Sequence, residues 1–256
     1  MCQSVAGSVV SKNIVRQSHQ RCYVMHGTND LTVDSNVAYD TAGHCFMLED
    51  GGETGNVITG NLASVTRKVD TLIRPEETDN VPSSFWITNP MNSFIGNVAA
   101  GSEHSGFWFE MRDSVRAPTS SMVPAMNPSI LPLTMFKDNV AHSNHDHGVK
   151  TYPGRGYKPE GAPAVFENTR SFRNRGSGVF IHNSRNINID GGIFADNRVQ
   201  IDVDRSPTCS VLNAEIVGYS PEYKALVDSG YLPYHCVSTK VGPPIGDDIF
   251  IHSIPN

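Results

Sequence analysis

At 256 residues, with 38% hydrophobic and 18% charged residues, the chain is long and apolar enough to bury a core and too apolar for intrinsic disorder. Its formal net charge of −6 argues against nucleic acid or an anionic membrane surface as main partner, because neither phosphate-rich surface would be attracted overall. No apolar run reaches the roughly 20 residues of a membrane span, and residues 1–17 hold no apolar signal core, which leaves a cytoplasmic protein or a fragment whose targeting segment lies upstream.

The 22 glycines and 16 prolines, with frequent asparagine, favour short strands joined by turns over long helices. The expected elements recur as one phrase: Asn, small apolar residues, a polar turn, Gly, then alternating apolar residues. In chain order it runs Asn36-Val37-Ala38-Tyr39 to Gly43 and Phe46-Met47-Leu48; a degenerate copy from Asn61-Leu62-Ala63-Ser64; and Asn97-Val98-Ala99-Ala100 to Gly106-Phe107-Trp108-Phe109. It continues as Asn139-Val140-Ala141-His142 to Gly148-Val149, Asn168-Thr169-Arg170-Ser171 to Gly178-Val179-Phe180-Ile181, and again around Ile193-Phe194-Ala195. A shortest period of about 25 residues with variable insertions is the signature of stacked coils that share one core. The fold expected is all-β, a right-handed parallel β-helix over residues 1–205. Residues 206–256 would continue or cap the same domain, with a short helix within 221–229. A β-sandwich with repeated turns is the competing architecture. Residues 69–83 and 112–132 read as inserted loops. Asn and Gly at the bends would take left-handed backbone, and stacked Asn side chains would bond to the next coil.

The five cysteines (Cys2, Cys22, Cys45, Cys209, Cys236) contain no C-x-x-C pair, which argues against structural zinc or a thioredoxin-like centre. Cys209 and Cys236 could close a disulfide. The one N-x-S triplet, Asn127-Pro128-Ser129, is blocked by its proline, so no glycosylation site supports secretion.

The run Arg21-Cys22-Tyr23-Val24-Met25-His26-Gly27, followed by Asn36 and its successors through Gly43-His44-Cys45-Phe46-Met47-Leu48-Glu49-Asp50-Gly51, resembles a known family. It is similar to the β-helix region shared by cell migration-inducing and hyaluronan-binding protein (CEMIP), transmembrane protein 2 and fibrocystin-L. Ser84-Phe85-Trp86-Ile87-Thr88-Asn89-Pro90 and Gly106-Phe107-Trp108 extend the likeness, which is strong over residues 18–110 and thin beyond 182. The resemblance implies a right-handed parallel β-helix and an extracellular or cell-surface setting. As in some members, it also implies hyaluronan binding and depolymerisation with calcium dependence. The loop before Trp86 is shorter than in the hyaluronan-degrading members, and Trp86-Ile87-Thr88-Asn89-Pro90 is closer to the fibrocystin-L version. The family's glycine-rich domain does not precede the helix here, so the chain reads as an excerpt of a longer protein.

Strand alternation sorts the residues after each turn glycine. Phe107, Phe109, Val149, Val179, Ile181 and, in the first copy, His44, Phe46 and Leu48 are expected inward. Met47, Glu49, Trp108, Glu110, Lys150, Tyr152, Phe180 and His182 are expected on a solvent-facing ledge. Aromatic rings there would stack on sugars, with Trp108, Lys150, Tyr152, Phe180, His182 and Glu103 as substrate-binding candidates. Glycoside hydrolysis needs two carboxyls about 5–10 Å apart, which nominates Glu49 with Glu110 from a neighbouring coil, or Asp50 with Glu103. His44 lies beside this acidic turn and is also a candidate. Against these stands ordinary surface, with Asp50 bonding its own turn backbone and His44 a satisfied core histidine. Glu49, Asp50 and Glu53 are calcium candidates. His142, His145, Asp146 and His147 look like a metal cluster but read better as a solvated turn, so no metal ligand is assigned. Trp86 is expected to pack, and Arg170, Arg173 and Arg175 to form a basic patch or a solvated face. The function expected is a carbohydrate-active domain binding a hyaluronan-like acidic polysaccharide, with hydrolysis at the Glu49 face. The alternatives are a non-catalytic fibrocystin-L-like surface module and a lyase using a base such as Lys150.

Overall fold

The computed structural model describes residues 7–152, 154–230 and the strand Ile249–Ile251. Among these residues the chain winds through three eight-stranded sheets, each coil contributing one strand to each sheet. Every pairing between coils is parallel, and only Ile249–Ile251 pairs antiparallel, with Val199–Asp204. The fold is a parallel β-helix, as the repeat implies. Strands of the winding run on beyond residue 205, to Ser210–Leu212 and Glu215–Val217, before the helix Pro221–Asp228.

Each sheet buries one column of side chains. In the first sheet Val33, Ile58, Phe94, Phe136, Phe166 and Ile189 are stacked partners. In the second the column is Ala38, Ala63, Ala99 and Ala141, then Ser171 and Phe194. In the third, Tyr23, Phe46, Phe85 and Phe107 stack face to face at 4.6–4.8 Å between ring centres. The alanines are small because the large rings opposite them fill the bore, and each buried ring contributes about 2–3 kcal/mol by leaving water.

The corner between first and second sheets is held by a file of asparagine amides. Asn13, Asn36, Asn61 and Asn97 each donate backbone N–H and side-chain Nδ2 to the Oδ1 of the next member, ending on Asn139, at 2.9–3.2 Å. A second file links Ser102, Asn144, Asn174 and Asn197. The fourth copy of the phrase is shifted by one residue. Arg170 pairs with Val140, so fully buried Thr169 holds the place after Asn139, while Asn168 takes a left-handed bend (φ 47°). The glycine expectation also needs correcting. Gly43 has φ 79°, but Gly106, Gly148 and Gly178 are needed for clearance. A Cβ on any of them would lie 2.5–2.6 Å from a carbonyl oxygen of the next coil.

A disulfide joins Cys22 to Cys45, stapling two successive coils. Cys209 is a free thiol, and Cys236, its suggested partner, lies outside the described residues. Residues 68–82 and 110–134 lie between strands, as expected of inserts, and they leave from opposite ends of third-sheet strands. That placement decides where the chemistry sits.

Candidate functional site on the third sheet

The outer face of the third sheet carries two columns. Val24, Met47, Trp86, Trp108, Lys150 and Phe180 are partners in successive coils. Two residues further along each strand, the same register aligns His26, Glu49, Thr88, Glu110, Tyr152 and His182. Glu49 and Glu110 therefore share a column but not adjacent coils, because Thr88 stands between them. Two strand spacings put their backbones roughly 9–10 Å apart. Asp50 and Glu103 are not brought together: Asp50 follows its third-sheet strand, whereas Glu103 precedes its own and accepts the Lys68 N–H at 2.8 Å.

Much of the ledge is roofed. Trp108, Glu110 and Lys150 face outward as the alternation requires, but they are 1%, 7% and 1% exposed, so their expected solvent exposure is wrong. The aperiodic inserts account for much of the cover. From one end, residues 68–82 cover His44. Its Nδ1 accepts the Ser83 N–H at 3.1 Å, its Nε2 meets Thr78 Oγ1 at 2.9 Å, and its own N–H donates to Asp79 Oδ1 at 2.9 Å. The ring stacks on Trp86 at 4.8 Å. His44 is buried outside the sheet, not in the bore with Phe46 and Leu48 as expected; the bend at Gly43 gives the inward position to Cys45. Burial lowers its pKa to about 3, so it is neutral, and with Nδ1 accepting, the proton sits on Nε2. It supports Trp86. Trp86 packs with Met47 and Trp108, as expected.

From the other end, residues 110–134 dock on the turn after Leu48. The Arg116 N–H donates to the Asp50 carbonyl at 2.9 Å, the Thr119 N–H to Asp50 Oδ2 at 3.4 Å, and the Arg116 guanidinium lies 5.0 Å from the Trp86 ring centre. Gly52 makes this docking possible, since a Cβ there would sit 2.4 Å from Thr119 Cγ2. The Asp50 carboxylate binds Thr119 and His26, not its own turn. Glu53 does that work, accepting N–H bonds from Gly27, Asp50 and Gly51 at 2.8–3.1 Å. Those bonds commit the Glu53 oxygens, and among the described residues no group of three His, Cys, Asp or Glu side chains is arranged to hold a metal. The donors at Glu49, Asp50 and Glu53 therefore do not fit the calcium reading.

Three acidic groups remain around the docked loop. Glu49 is held by Arg21 at 3.0 Å and by His26 Nδ1 at 3.2 Å, and His26 Nε2 reaches Asp50 at 3.1 Å. Arg21 also binds Glu77 at 2.9 Å and Asp79 at 3.1 Å. Glu110 accepts from Arg112 Nε at 3.0 Å and lies 3.8 Å from Arg116. Burial pushes the Glu110 carboxyl above its ordinary pKa, although Arg112 and Arg116 pull the other way. An open recess of about 510 Å³ adjoins it, lined among others by Arg112, Asp113, Ser114 and Arg155.

Farther along, Lys150 is not a free surface cation. Its Nζ lies 4.1 Å from the Trp108 ring centre, 3.0 Å from His104 Nδ1 and 3.7 Å from Asp146, and burial lowers its pKa to about 8. So enclosed, it cannot reach a scissile uronate as a lyase base. His147 is half-buried on Phe180 at 4.6 Å and binds Asp146 at 3.1 Å, so the expected solvated turn is partly built into the sheet. His142 stacks on Phe172 on the second sheet. Tyr152 is exposed and meets His182 edge-on at 4.4 Å, and Phe180 is half-buried beside them. Arg170 is exposed on the second sheet, and Arg173 lies 5.6 Å from the Tyr223 ring centre.

The model of the CEMIP β-helix matches residues 1–149. The chain belongs to that family. It is 29% identical over 235 residues to human cell surface hyaluronidase CEMIP2, covering 72% of this chain and 17% of the relative. Zebrafish cell surface hyaluronidase is 34% identical over 157 residues, covering 53% and 11%. Mouse fibrocystin-L is 36% identical over 142 residues, covering 56% and 3%. The chain thus spans under a fifth of the length of each of these relatives. In this CEMIP β-helix the residues that sequence reasoning missed are Arg21, His26, Arg116 and Thr119. His26 was within reach, because it precedes Glu49 by one coil length. Arg116 and Thr119 lie in an aperiodic insert, where no sequence signal marks them.

Proposed function

We propose that the outer face of the third sheet binds a hyaluronan-like acidic polysaccharide in an extracellular or cell-surface setting, and hydrolyses it between Glu110 and Glu49. The observation that carries this reading is the pair of carboxylates two coils apart, beside an open recess and an arginine stacked on Trp86. Their backbones stand roughly 9–10 Å apart, a separation compatible with the roughly 6.5–9.5 Å between carboxyls that leaves room for a water in inverting glycosidases. Glu110, its pKa raised by burial, is the general acid that protonates the leaving oxygen. Glu49, held by Arg21 and His26, is the base that activates water. Exposed Tyr152, with Phe180 and His182, supplies a stacking platform. Its relatives include a cell surface hyaluronidase and a cell migration-inducing and hyaluronan-binding protein.

Size-defined hyaluronan incubated with the chain, with and without calcium, tests the reading. Shortening is expected in both conditions. Glu110→Gln should slow it by about 100-fold or more and remove the alkaline limb of the pH–rate profile. Unchanged polymer length together with no retention on immobilised hyaluronan would reject it. A second reading, a non-catalytic binding module, is favoured by the engagement of both Glu49 oxygens and by the fibrocystin-L match. It predicts retention without cleavage, unaffected by Glu49→Gln.

A further inference from the structure

We propose that Arg116 is the specificity-determining residue of this face, reading the carboxylate of the uronate bound beside Glu110. The inference rests on the polysaccharide reading above and adds the group that would make the site select acidic sugars. The other cations named around this face are already spent. Arg21 is shared by Glu49, Glu77 and Asp79 at 2.9–3.1 Å. Arg112 binds both Glu110 oxygens at 3.0–3.2 Å, Arg155 faces Asp113 at 3.4 Å, and Lys150 is shut in with His104 and Asp146.

Arg116 differs. Among the described residues its one ion pair is the 3.8 Å approach to a Glu110 carboxylate that Arg112 already occupies, and its buried Nε has no hydrogen-bond partner there. A half-buried guanidinium so weakly compensated is costly unless an anion completes it. The side chain retains 22% exposure, and its stacking on Trp86 at 5.0 Å fixes the guanidinium. A planar fork held this way suits a carboxylate in two-point contact better than an ammonium would. It also stands at the segment that touches both Asp50 and Glu110, so a sugar carboxylate bound there lies beside the reacting bond. A neutral sugar would leave the guanidinium with only its long contact to Glu110.

The test compares binding of hyaluronan oligosaccharides with their carboxyl-reduced counterparts for the wild-type chain, Arg116→Gln, Arg116→Lys and Arg170→Gln, the last on a different sheet. Wild type should prefer the native oligosaccharide by roughly tenfold or more. Arg116→Gln should bind both forms equally, Arg116→Lys should keep part of the preference, and Arg170→Gln all of it. A full preference retained by Arg116→Gln overturns the assignment. So does equal binding of the two forms by wild type, a result that leaves the polysaccharide reading standing and needs no variant to fold. Binding of neither form by wild type rejects the polysaccharide reading and the assignment with it.

Discussion

Single side chains on the third sheet tie stability to pH. His44 has a folded pKa of about 3 against roughly 6.5 when unfolded. Between these values the unfolded chain binds the extra proton, so stability falls as pH drops below about 6.5. From this one group, urea denaturation at pH 5.5 should show a stability about 1 kcal/mol lower than at pH 7. His104 and His147 shift in the same direction, also by burial, and add to the slope. His44→Gln should flatten that slope by close to one proton, whatever it does to absolute stability; an unchanged slope would show that His44 titrates normally. Gly52→Ala should push Thr119 off the Asp50 turn and displace Arg116 with it. Weaker hyaluronan retention at an unchanged melting temperature is expected. At this scale the sequence showed which way most strand side chains point, because alternation is local, but it failed at His44, where the bend at Gly43 shifts the phase, and it did not show how exposed the side chains are. Trp108, Glu110 and Lys150 were assigned to the outer face and are there, yet the inserts and neighbouring groups that hide them follow no period.

At the scale of a coil, stability rests on amides that have no water to turn to. Asn97 accepts from the Asn61 N–H and Nδ2 and donates to Asn139 Oδ1 and the Ile58 carbonyl. Asn97→Ala leaves several buried groups unpaired and should cost about 3 kcal/mol or more. Asn13→Ala, at the solvated end of the same file, should cost under about 1 kcal/mol; equal losses in chemical denaturation would contradict the account. The period was legible because each coil repeats the same solution. It failed at Asn168, where Thr169 takes the buried place and the asparagine serves the bend, since local sequence does not reveal a one-residue shift when both types suit a corner. Gly106, Gly148 and Gly178 were recognised as turn glycines for the wrong reason, because interstrand clearance is invisible until coils are stacked.

In the molecule as a whole, coils touch chiefly their neighbours, so the ends should open before the middle. The Cys22–Cys45 disulfide opposes this at one end by closing a loop, which a chain-entropy argument values at about 3 kcal/mol. Reduction, or Cys22→Ala with Cys45→Ala, should speed hydrogen exchange over residues 9–48 while leaving 85–110 protected; uniform loss of protection would show that the coils unfold as one unit. The fold was readable from the phrase alone. The disulfide was not, because partners one coil apart align only once the winding is known.

The corner between first and second sheets consists of two residues in several coils: Lys12 and Asn13, Ser35 and Asn36, Gly60 and Asn61, Gly96 and Asn97. Such a joint leaves no room for extra chain, because any added residue would pull an amide out of its file. The corners at either end of the third sheet are longer and more varied, although the file from Ser102 to Asn197 runs along part of one of them, and both long inserts emerge there. Relatives built on this winding should therefore differ chiefly in what hangs from those two corners. The asparagine corner should keep its length from one relative to the next, as a fixed keel beneath exchangeable superstructure.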